Sequence, residues 1–408
     1  WSSDVCSSDL TITVDNVSES DSSTIEFLTF NALYSDSKVR FINNPSSFKA
    51  MEIIATGGID VLTDITASVG GIEFVADVDY DTVSNLTDKV TIGYGVNITA
   101  AGGDISFNAV GGGVESLGST EIFASGNIDL QHLFVAGGQT DFRADTDGVD
   151  GGNFIQQIGS TINTANNDLL IRANDIDLQS TTDFGTGTAS IRISDNGNIG
   201  VGDTALDMHI SGDELASLSG KELIIGDNQV ADIYIDNVTE AQSNNLEKVT
   251  FKANSGTSNI TLSENGATFN SVELNSKKTM TLSGDLTLDA DADLGVDGVD
   301  KIVTSDGVTI SSEAVLSLSA AQSKIDGLGS LNLTAKEGVD LDLDVETLGI
   351  LTIDADTDDS GVGDFNLATG KSITTNNNLL DITANDISVV GSVNVGTSDV
   401  AKIGRAHV

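Results

Sequence analysis

The chain has 408 residues, of which 39% are hydrophobic and 20% are charged, and its formal net charge is −44 at pH 7. This apolar content is enough to build a core and excludes a wholly disordered chain. The strong negative charge argues against nucleic acid and anionic membranes as partners. No run of about 18 apolar residues occurs, so we expect no insertion into a membrane.

The two ends look foreign to the rest of the chain. The stretch from Asp4 to Leu10 resembles the translation of a sequencing-adapter oligonucleotide, and residues 403–408 resemble the translation of the opposite strand. We therefore predict non-native tails at 1–10 and 403–408 on an internal fragment of a longer reading frame. The alternative is a genuine short tail at each end. Cys6 is the only cysteine and lies in the first tail, so we expect neither disulfides nor thiolate chemistry.

From residue 11 onward the chain contains one long sequence repeat. Residues 144–176 return at 355–387 without a gap, shifted by 211 positions, and 17 of the 33 positions are identical. Earlier in the chain the shift is 221, so the second copy lacks ten residues, which we place in a loop. We therefore predict a first repeat unit at 11–231 and a second, incomplete unit of the same continuous structure at 232–402.

Both units consist of short apolar runs with period-two alternation, separated by Gly, Asn and Asp residues that are typical of turns. In the second unit these runs recur about every 21 residues, at 286–288, 308–310, 331–333, 351–353, 372–374 and 393–395. This rhythm predicts an all-β chain that folds as a parallel β-solenoid, with about 21 residues and two or three strands per turn and about 19 turns in all. The only helical spacing is a short stretch at 213–218.

A solenoid of this kind makes specific predictions about stacking. Each turn lays its strands parallel on the previous turn, about 4.8 Å apart. Ile then stacks on Ile and Leu on Leu in the core, and Asn side chains at the turns hydrogen-bond along the stack. The rival all-β interpretation is a string of sandwich domains, which needs strands of about 5–6 residues in units of roughly 100 residues. The short strands and the long repeat disfavour sandwiches.

The sequence from Ser372 to Ile387, continued from Gly391 to Thr397, resembles the strand repeats of filamentous-haemagglutinin-like giant surface proteins of bacteria. The resemblance extends over residues 11–402 and rests on motifs of Ile, Thr, Asn, Asp and Gly. It implies a right-handed parallel β-helix that is exported by a Gram-negative cell and held at, or released from, its surface. It also implies an adhesive or structural role, with glycans or proteins outside the cell as ligands and flanking repeats of the same chain as neighbours. The family's amino-terminal secretion signature does not occur in this sequence.

Acidic loops are the candidate metal sites. Alternate Asp residues put carboxylates on one side of an extended segment, nearby Gly lets the loop close, and Ca²⁺ takes about six to eight oxygen ligands. The bidentate Glu of a helix-loop-helix calcium loop is absent, and the glycine-rich calcium nonapeptide is absent too. The alternative is a set of solvated acidic turns that oppose edge aggregation. The candidate Ca²⁺ ligands are Asp145, Asp147, Asp150, Asp289, Asp291, Asp293, Asp354, Asp356 and Asp358, and the counterpart of the run at 289–293 in the first unit is Asp77, Asp79 and Asp81.

A polysaccharide-active enzyme on this scaffold would need acids and a base from neighbouring turns in one groove. Carboxylates are abundant, but Arg143 and Arg172 look isolated in the sequence, and the second copy replaces both. His132 and His209 have no Ser or Cys partner at motif spacing, so we interpret them as surface or loop imidazoles. We therefore expect no catalytic residues.

The sequence favours a structural and adhesive rod segment of a large secreted protein at the surface of a Gram-negative cell. Such a segment would act through a repeated lateral surface, with binding that is weak at each site and summed over many sites. Two alternatives stay open: a lyase or glycosidase acting on acidic polysaccharides, and a surface-layer or matrix protein that assembles laterally. We expect no enzymatic activity, and Ca²⁺ is the one cofactor that the sequence suggests.

Overall fold

The computed structural model describes residues 11–34, 36–77, 88–149, 151–288, 292–294 and 301–404, of which 292–294, 320–323 and 402–404 are described by their backbone alone. The fold is all-β, with 4% helix and with parallel strands stacked as a β-solenoid of about 16 turns. This result confirms the predicted fold class. The chain divides into two compact units, one containing residues up to Asp195 with Ser217–Lys221 and the other containing Asn196–Ala216 with the residues from Glu222 onward.

In the first unit each complete turn adds one strand to each of three columns. The first column contains Ile12–Val14, Val39–Phe41, Ile59–Val61, Val90–Ile92, Val114–Ser116, Phe134–Ala136, Ile162–Asn163 and the start of Thr182–Ile193. The second contains Ser46–Phe48, Ile65–Ala67, Asn97–Ala100, Thr120–Ala124, Thr140–Arg143, Leu169–Ala173 and the end of Thr182–Ile193. The third contains Leu28–Ala32, Met51–Ala55, Ile72–Ala76, Ile105–Ala109, Ile128–Leu130, Phe154–Gln156 and Ile176–Leu178.

The second unit has the same three-column arrangement. Its first column contains Ile199–Gly202, with Met208–Ile210 paired beside it, then Ile233–Asp236, Ile260–Leu262, Met280–Leu282, Ile302–Thr304, the ends of Val315–Gly327 and Gly338–Thr347, Ser372–Thr374 and Ser392–Asn394. The second contains Ala267–Phe269, Leu286–Leu288, Val308–Ser312, Leu331–Ala335, Leu351–Asp354, Leu380–Ala384 and Val400–Gly404. The third contains Leu246–Ala253, Val272–Ser276, Ala292–Leu294, the starts of Val315–Gly327 and Gly338–Thr347, Asp364–Leu367 and Ile387–Val389. The strand Leu218–Asp227 contributes residues to both units.

Inward side chains stack on like side chains from turn to turn. In the third column of the first unit, Ile72 pairs with Ile105 and Ile105 pairs with Ile128, and all three are buried. Two residues along the same strands, the rings of Phe74 and Phe107 stack with centroids 4.8 Å apart. Every second residue of a strand points into the core, so the alternating apolar pattern accounts for the burial. The predicted stacking of like residues is confirmed in this column.

The number of residues per turn varies more than predicted. Val39 pairs with Ile59, which lies 20 positions later, whereas Phe142 pairs with Ile171, which lies 29 positions later. The prediction of about 19 turns assumed a constant length and is wrong, because the structure has about 16. The extra residues of the long turn lie between strands, where they leave the stacked register unchanged.

The long sequence repeat has a counterpart in the strand register. In the first unit Leu169 pairs with Ala189. Both residues have counterparts 211 positions later, Leu380 and Val400, and these two also pair with each other. The repeat boundary predicted between 231 and 232 differs from the place where the chain passes between the compact units, at residues 195–222. Register and repeat are therefore related, although the compact units do not end where the repeat ends.

In the described part of the chain, three short helices interrupt the strands. Gly212–Ser217 is the helix predicted from spacing. Glu19–Ser22 and Glu240–Ser243 were not predicted, and they lie 221 positions apart, at equivalent places in the two copies. Each begins with a capping box, in which a hydroxyl side chain and the residue three positions later satisfy free backbone N–H groups. Within the described residues, no helix combines the length and the apolar character needed to cross a membrane.

Candidate functional site

The acidic loops follow strands of the second column in each unit. Asp145 comes two residues after Thr140–Arg143, and Asp356 comes two residues after Leu351–Asp354. Both carboxylates are buried, with exposed fractions of 6% and 5%. The chain turns at both places, with a left-handed φ of 56° at Asp145 and 55° at Asp359. The expectation of an extended segment with its carboxylates on one side is therefore wrong for these two loops, whereas residues 292–294 of the third acidic run form a strand.

The buried carboxylates hold these loops in their folded form. Asp356 accepts hydrogen bonds from the Ser360 hydroxyl at 3.2 Å and from the Gly361 backbone N–H at 3.1 Å. Asp145 accepts a hydrogen bond from the Ser194 hydroxyl at 2.5 Å. Asp side chains commonly close turns in this way. Both carboxylates therefore have a structural role in these loops.

The predicted calcium ligands are only partly covered by the structure. Within the described residues, no group of three or more His, Cys, Asp or Glu side chains is placed to hold a metal ion. Of the Asp residues in the predicted acidic runs, those outside the described part are Asp79, Asp81, Asp150, Asp289 and Asp291, and for Asp293 only the backbone is described. Binding of Ca²⁺ stays a prediction for the described candidates, which are Asp145, Asp147, Asp354, Asp356 and Asp358.

The pKa of Asp354 is raised above its ordinary value, first because burial removes water from the carboxyl group and also because Asp356, Asp359 and Asp381 carry like charge. A raised pKa means that the folded state disfavours the ionised form. This penalty is present above the folded-state pKa and disappears as the pH falls below the ordinary value of 3.8. We therefore expect Asp354→Asn to raise the Tm at pH 7, and the gain to shrink as the pH falls toward 3.8.

Calorimetry between pH 3 and pH 7 measures this difference, and Asp358→Asn is the matched control from the same loop. Hydrogen bonds from the backbone and side chain of Ser360 lower the pKa of Asp358, so its ionised form stabilises the folded state at neutral pH. Asp358→Asn is therefore expected to leave the Tm unchanged or to lower it. A Tm gain for Asp354→Asn that grows on acidification would contradict this account.

Side chains in the loops between strands also form hydrogen bonds from one solenoid turn to the next. The Asp104 carboxylate accepts a hydrogen bond from the backbone N–H of Asn127 at 2.6 Å, and the Asn127 side chain accepts one from the backbone N–H of Asn153 at 2.8 Å. The Asn153 side chain accepts a longer bond, 3.4 Å, from the side chain of Asn174. The predicted bonding of Asn amides to one another is confirmed for Asn153 and Asn174, whereas the other two bonds have backbone N–H donors. Part of the chain's polar and acidic composition therefore serves the contacts between turns.

Three arginines line up on consecutive turns of the first unit. Arg143 pairs in register with Arg172, and Arg172 pairs with Arg192, all on the second column. We call this series the arginine ladder. The interpretation of Arg143 and Arg172 as isolated residues is wrong, because they are neighbours in register. A constant period did not reveal this, since 29 residues separate Arg143 from Arg172 and 20 separate Arg172 from Arg192. A signal was present in the local sequence, since each of the three follows a buried aromatic or Ile residue within a strand.

Carboxylates lie beside one end of the arginine ladder. Asp141 occupies the other outward position of the Arg143 strand and forms an ion pair with Arg143, whose Nε lies 3.0 Å from a carboxylate oxygen. This hydrogen bond is the main reason that the pKa of Arg143 is raised. Glu121 is the register neighbour of Asp141 on the preceding turn, and the Arg143 guanidinium lies 4.8 Å from the ring centroid of Phe123. Two acids and a cation from neighbouring turns therefore meet on one face.

The strands at the other end of the arginine ladder carry different outward residues. On the next two strands, the outward positions in register with Asp141 are Leu170 and Ser190, so neither strand repeats the carboxylate. The Nε of Arg192 is buried and has no hydrogen-bond partner. An unsatisfied buried donor is costly.

A groove of about 290 Å³ borders this face. Its lining offers backbone, amide, hydroxyl and carboxylate groups from three successive turns, which come from Gly95, Asn97, Ser119, Thr120, Glu121, Gln139 and Asp141. Such groups accept and donate hydrogen bonds to hydroxyl-rich ligands. The groove and the arginine ladder together can contact a polymer that carries both hydroxyl groups and anionic groups.

A larger hollow of about 550 Å³ lies on the third column of the first unit. It contains acids from neighbouring turns but no Lys, Arg or His among the described residues that line it, which include Glu73, Asp104 and Asp129. His132 lies nearby, 3.2 Å from the Asn108 side chain, and burial lowers the pKa of His132. Because it has acids without a cation, this hollow offers less for anionic ligands than the arginine ladder does.

His209 was predicted as a surface or loop imidazole, and the structure places it in a strand rather than a loop. It lies in the strand Met208–Ile210, and its Nε2 is 2.7 Å from the carbonyl oxygen of Gly202. This contact joins two neighbouring segments of the second unit and accounts for the side chain without catalysis.

Comparison with known proteins adds no family to this description. No family model matches the chain, and neither a curated protein nor a solved structure gives a significant match.

Proposed function

We propose that this chain is a structural and adhesive segment of a large bacterial surface protein. The observation that supports the proposal is the in-register stacking of short parallel strands in three columns within each unit. Every second residue of such a strand faces outward, so each column displays rows of side chains at a regular spacing. Rows of this kind suit binding through many weak contacts rather than through one deep pocket.

The resemblance noted in the sequence adds the setting to this proposal. We place the chain outside a Gram-negative cell, where its partners are glycans or proteins and the flanking repeats of the same polypeptide. The formal charge of −44 favours ligands that can approach a mostly acidic surface at defined points. The arginine ladder is the clearest such point among the described residues.

Bead adhesion tests this proposal. Beads coated with increasing densities of the full chain are allowed to bind cultured epithelial cells or a bacterial biofilm matrix. We expect retention to rise more steeply than the coating density, since multivalent binding sums weak contacts. Beads coated with the same chain after acid denaturation are the control. Retention no greater than this control at every density would contradict the proposal.

A second candidate function is degradation of an acidic polysaccharide. It is favoured by one observation, the meeting of Glu121, Asp141 and Arg143 beside the groove. Two carboxylates on neighbouring turns are the minimum for general acid and base catalysis of glycoside hydrolysis. Release of reducing ends from polygalacturonate, compared between the original chain and Glu121→Gln, tests this alternative. Equal and negligible release from both would remove it.

A further inference from the structure

We propose that Arg143, Arg172 and Arg192 bind a linear polysaccharide of uronic acids, with sugar carboxylates bound by successive guanidinium groups. The inference rests on the proposed adhesive function, which it deepens by naming the ligand class and the site. It concerns the second column of the first unit alone, where the three residues are in register on consecutive turns.

The spacing of the arginine ladder suits a polymer with regularly placed charges. Neighbouring strands of a sheet lie about 4.8 Å apart, so the three side chains start from points at this interval. A guanidinium group is a planar fork with parallel N–H donors, which matches the two oxygens of a carboxylate. A chain with one carboxylate per sugar can therefore present successive partners to the three side chains.

The charge distribution makes this site unusual for the molecule. The chain has 62 acidic and 18 basic residues, and three of its five arginines are on the arginine ladder. The strands of Arg172 and Arg192 carry Leu170 and Ser190 where the Arg143 strand carries Asp141. The Nε of Arg192 is buried and lacks a hydrogen-bond partner, so the described protein does not use every donor of this guanidinium group.

The neighbouring groove favours a polyuronate over other polyanions. Glu121 and Asp141 can accept hydrogen bonds from sugar hydroxyls, and they repel polymers that carry several charges per unit. Nucleic acids also lack the hydroxyl density that the groove lined by Asn97, Ser119 and Gln139 would recognise. A sugar polymer with a single negative charge per residue satisfies both the acids and the arginines.

The second unit provides an internal contrast. A shift of 211 places Asp354 at the position of Arg143 and Thr383 at the position of Arg172. The strands that carry these residues pair in the same register as in the first unit. On an equivalent backbone one arginine is therefore replaced by an acid and the other by a neutral residue, so we expect no polyuronate binding by that face.

The test measures binding of polygalacturonate oligomers to the full chain by isothermal titration calorimetry. We expect the Arg143→Gln, Arg172→Gln, Arg192→Gln triple variant to bind at least about tenfold more weakly. Arg40→Gln is the matched control, because the side chains of Arg40 and Arg143 are both 41% exposed and both pair with an Asp. We expect less than about a twofold change for this control.

Two further variants separate recognition from folding. Loss of Arg143 leaves the buried Asp141 without its ion pair, which is destabilising, so the Arg172→Gln, Arg192→Gln double variant is measured in parallel and should also bind more weakly. Arg172→Lys keeps the charge but loses the planar fork. We expect its affinity to lie between the affinity of the original chain and that of the glutamine variants. Circular dichroism confirms that each variant is folded.

Several results would overturn the inference. These are unchanged affinity in the folded double variant, an equal loss in Arg40→Gln, or tighter binding of heparin or single-stranded DNA than of polygalacturonate. Failure of the adhesive function gives a different pattern, in which polygalacturonate binds through the arginine ladder but coated beads do not adhere. Adhesion without any polygalacturonate binding would overturn the inference alone.

Discussion

Phe142→Ala is expected to lower the free energy of unfolding by about 3–5 kcal/mol, the usual cost of removing a buried aromatic ring. Phe142 is fully buried in the first unit. Its ring centroid lies 5.1 Å from that of Phe134 and 5.0 Å from that of Phe154. These rings come from the first, second and third columns, so Phe142 occupies the middle of the core of its turn. Ile122 and Ile171 flank it in register on the neighbouring turns, which limits collapse of the cavity.

Urea denaturation followed by far-ultraviolet circular dichroism measures the change. Phe27→Ala is the matched control, because the Phe27 side chain is 56% exposed and its removal leaves no closed cavity. We expect the control to change the free energy of unfolding by less than about 1 kcal/mol. Equal effects of the two substitutions would mean that the three rings do not form the core of this turn.

Gly363→Ala is expected to destabilise the second unit by about 1–3 kcal/mol, the range for an overpacked site. A Cβ atom at this position would overlap the carbonyl oxygen of Ala355 and would lie 2.6 Å from its carbonyl carbon and 2.9 Å from the Cα of Asp356. These are backbone atoms of the acidic loop, which cannot rotate away as a flexible side chain can. The close approach of two backbone segments explains why Gly is repeated at the equivalent position of the first copy, Gly152.

Gly256→Ala is the matched control for this substitution. No atom lies within 4 Å of a Cβ built at Gly256, and its φ is not in the left-handed region. Replacement there reduces the freedom of the unfolded chain and is expected to be neutral or to stabilise by up to about 1 kcal/mol. The Tm values of both variants, measured by calorimetry, provide the comparison. A Gly363→Ala variant as stable as Gly256→Ala would contradict the close backbone packing at the acidic loop.

The core of the solenoid was predictable because its signal is local and repeated. The alternation in Leu331–Ala335 and Leu351–Asp354 puts every second side chain inward, whatever the length of the connecting loops. The long repeat predicted the same inward positions a second time, because equivalent residues of the two copies are both apolar. Phe154 and Phe365 are such a pair, and both are buried. Two kinds of periodicity therefore agreed on the inward residues.

The outward faces were less predictable for a physical reason. Two residues become neighbours on a face only if the number of residues between them matches the length of that particular turn. Arg143 and Arg172 are separated by a turn of 29 residues, and Arg172 and Arg192 by one of 20. A constant period of about 21 residues misses the first pair, so the arginines were interpreted as isolated.

The direction of the carboxylates in the acidic loops was also not predictable from the sequence. The composition of the loop around Asp356 suggested metal ligands, because carboxylates and glycines occur together. The fold instead turns the Asp356 carboxylate back onto Ser360 and Gly361. Its direction depends on the left-handed backbone at Asp359, which the order of residues alone did not specify.

By itself, the sequence determined the all-β class, the parallel stacking and the inward residues, because alternation and repetition record which side chains avoid water. Only the tertiary structure decided the length of each turn, and with it the alignment of Arg143, Arg172 and Arg192. Inward positions tolerate loops of any length, since the strands on either side realign in the core. Which outward residues become neighbours depends on the length of each turn, so it is decided only when the turns stack on one another.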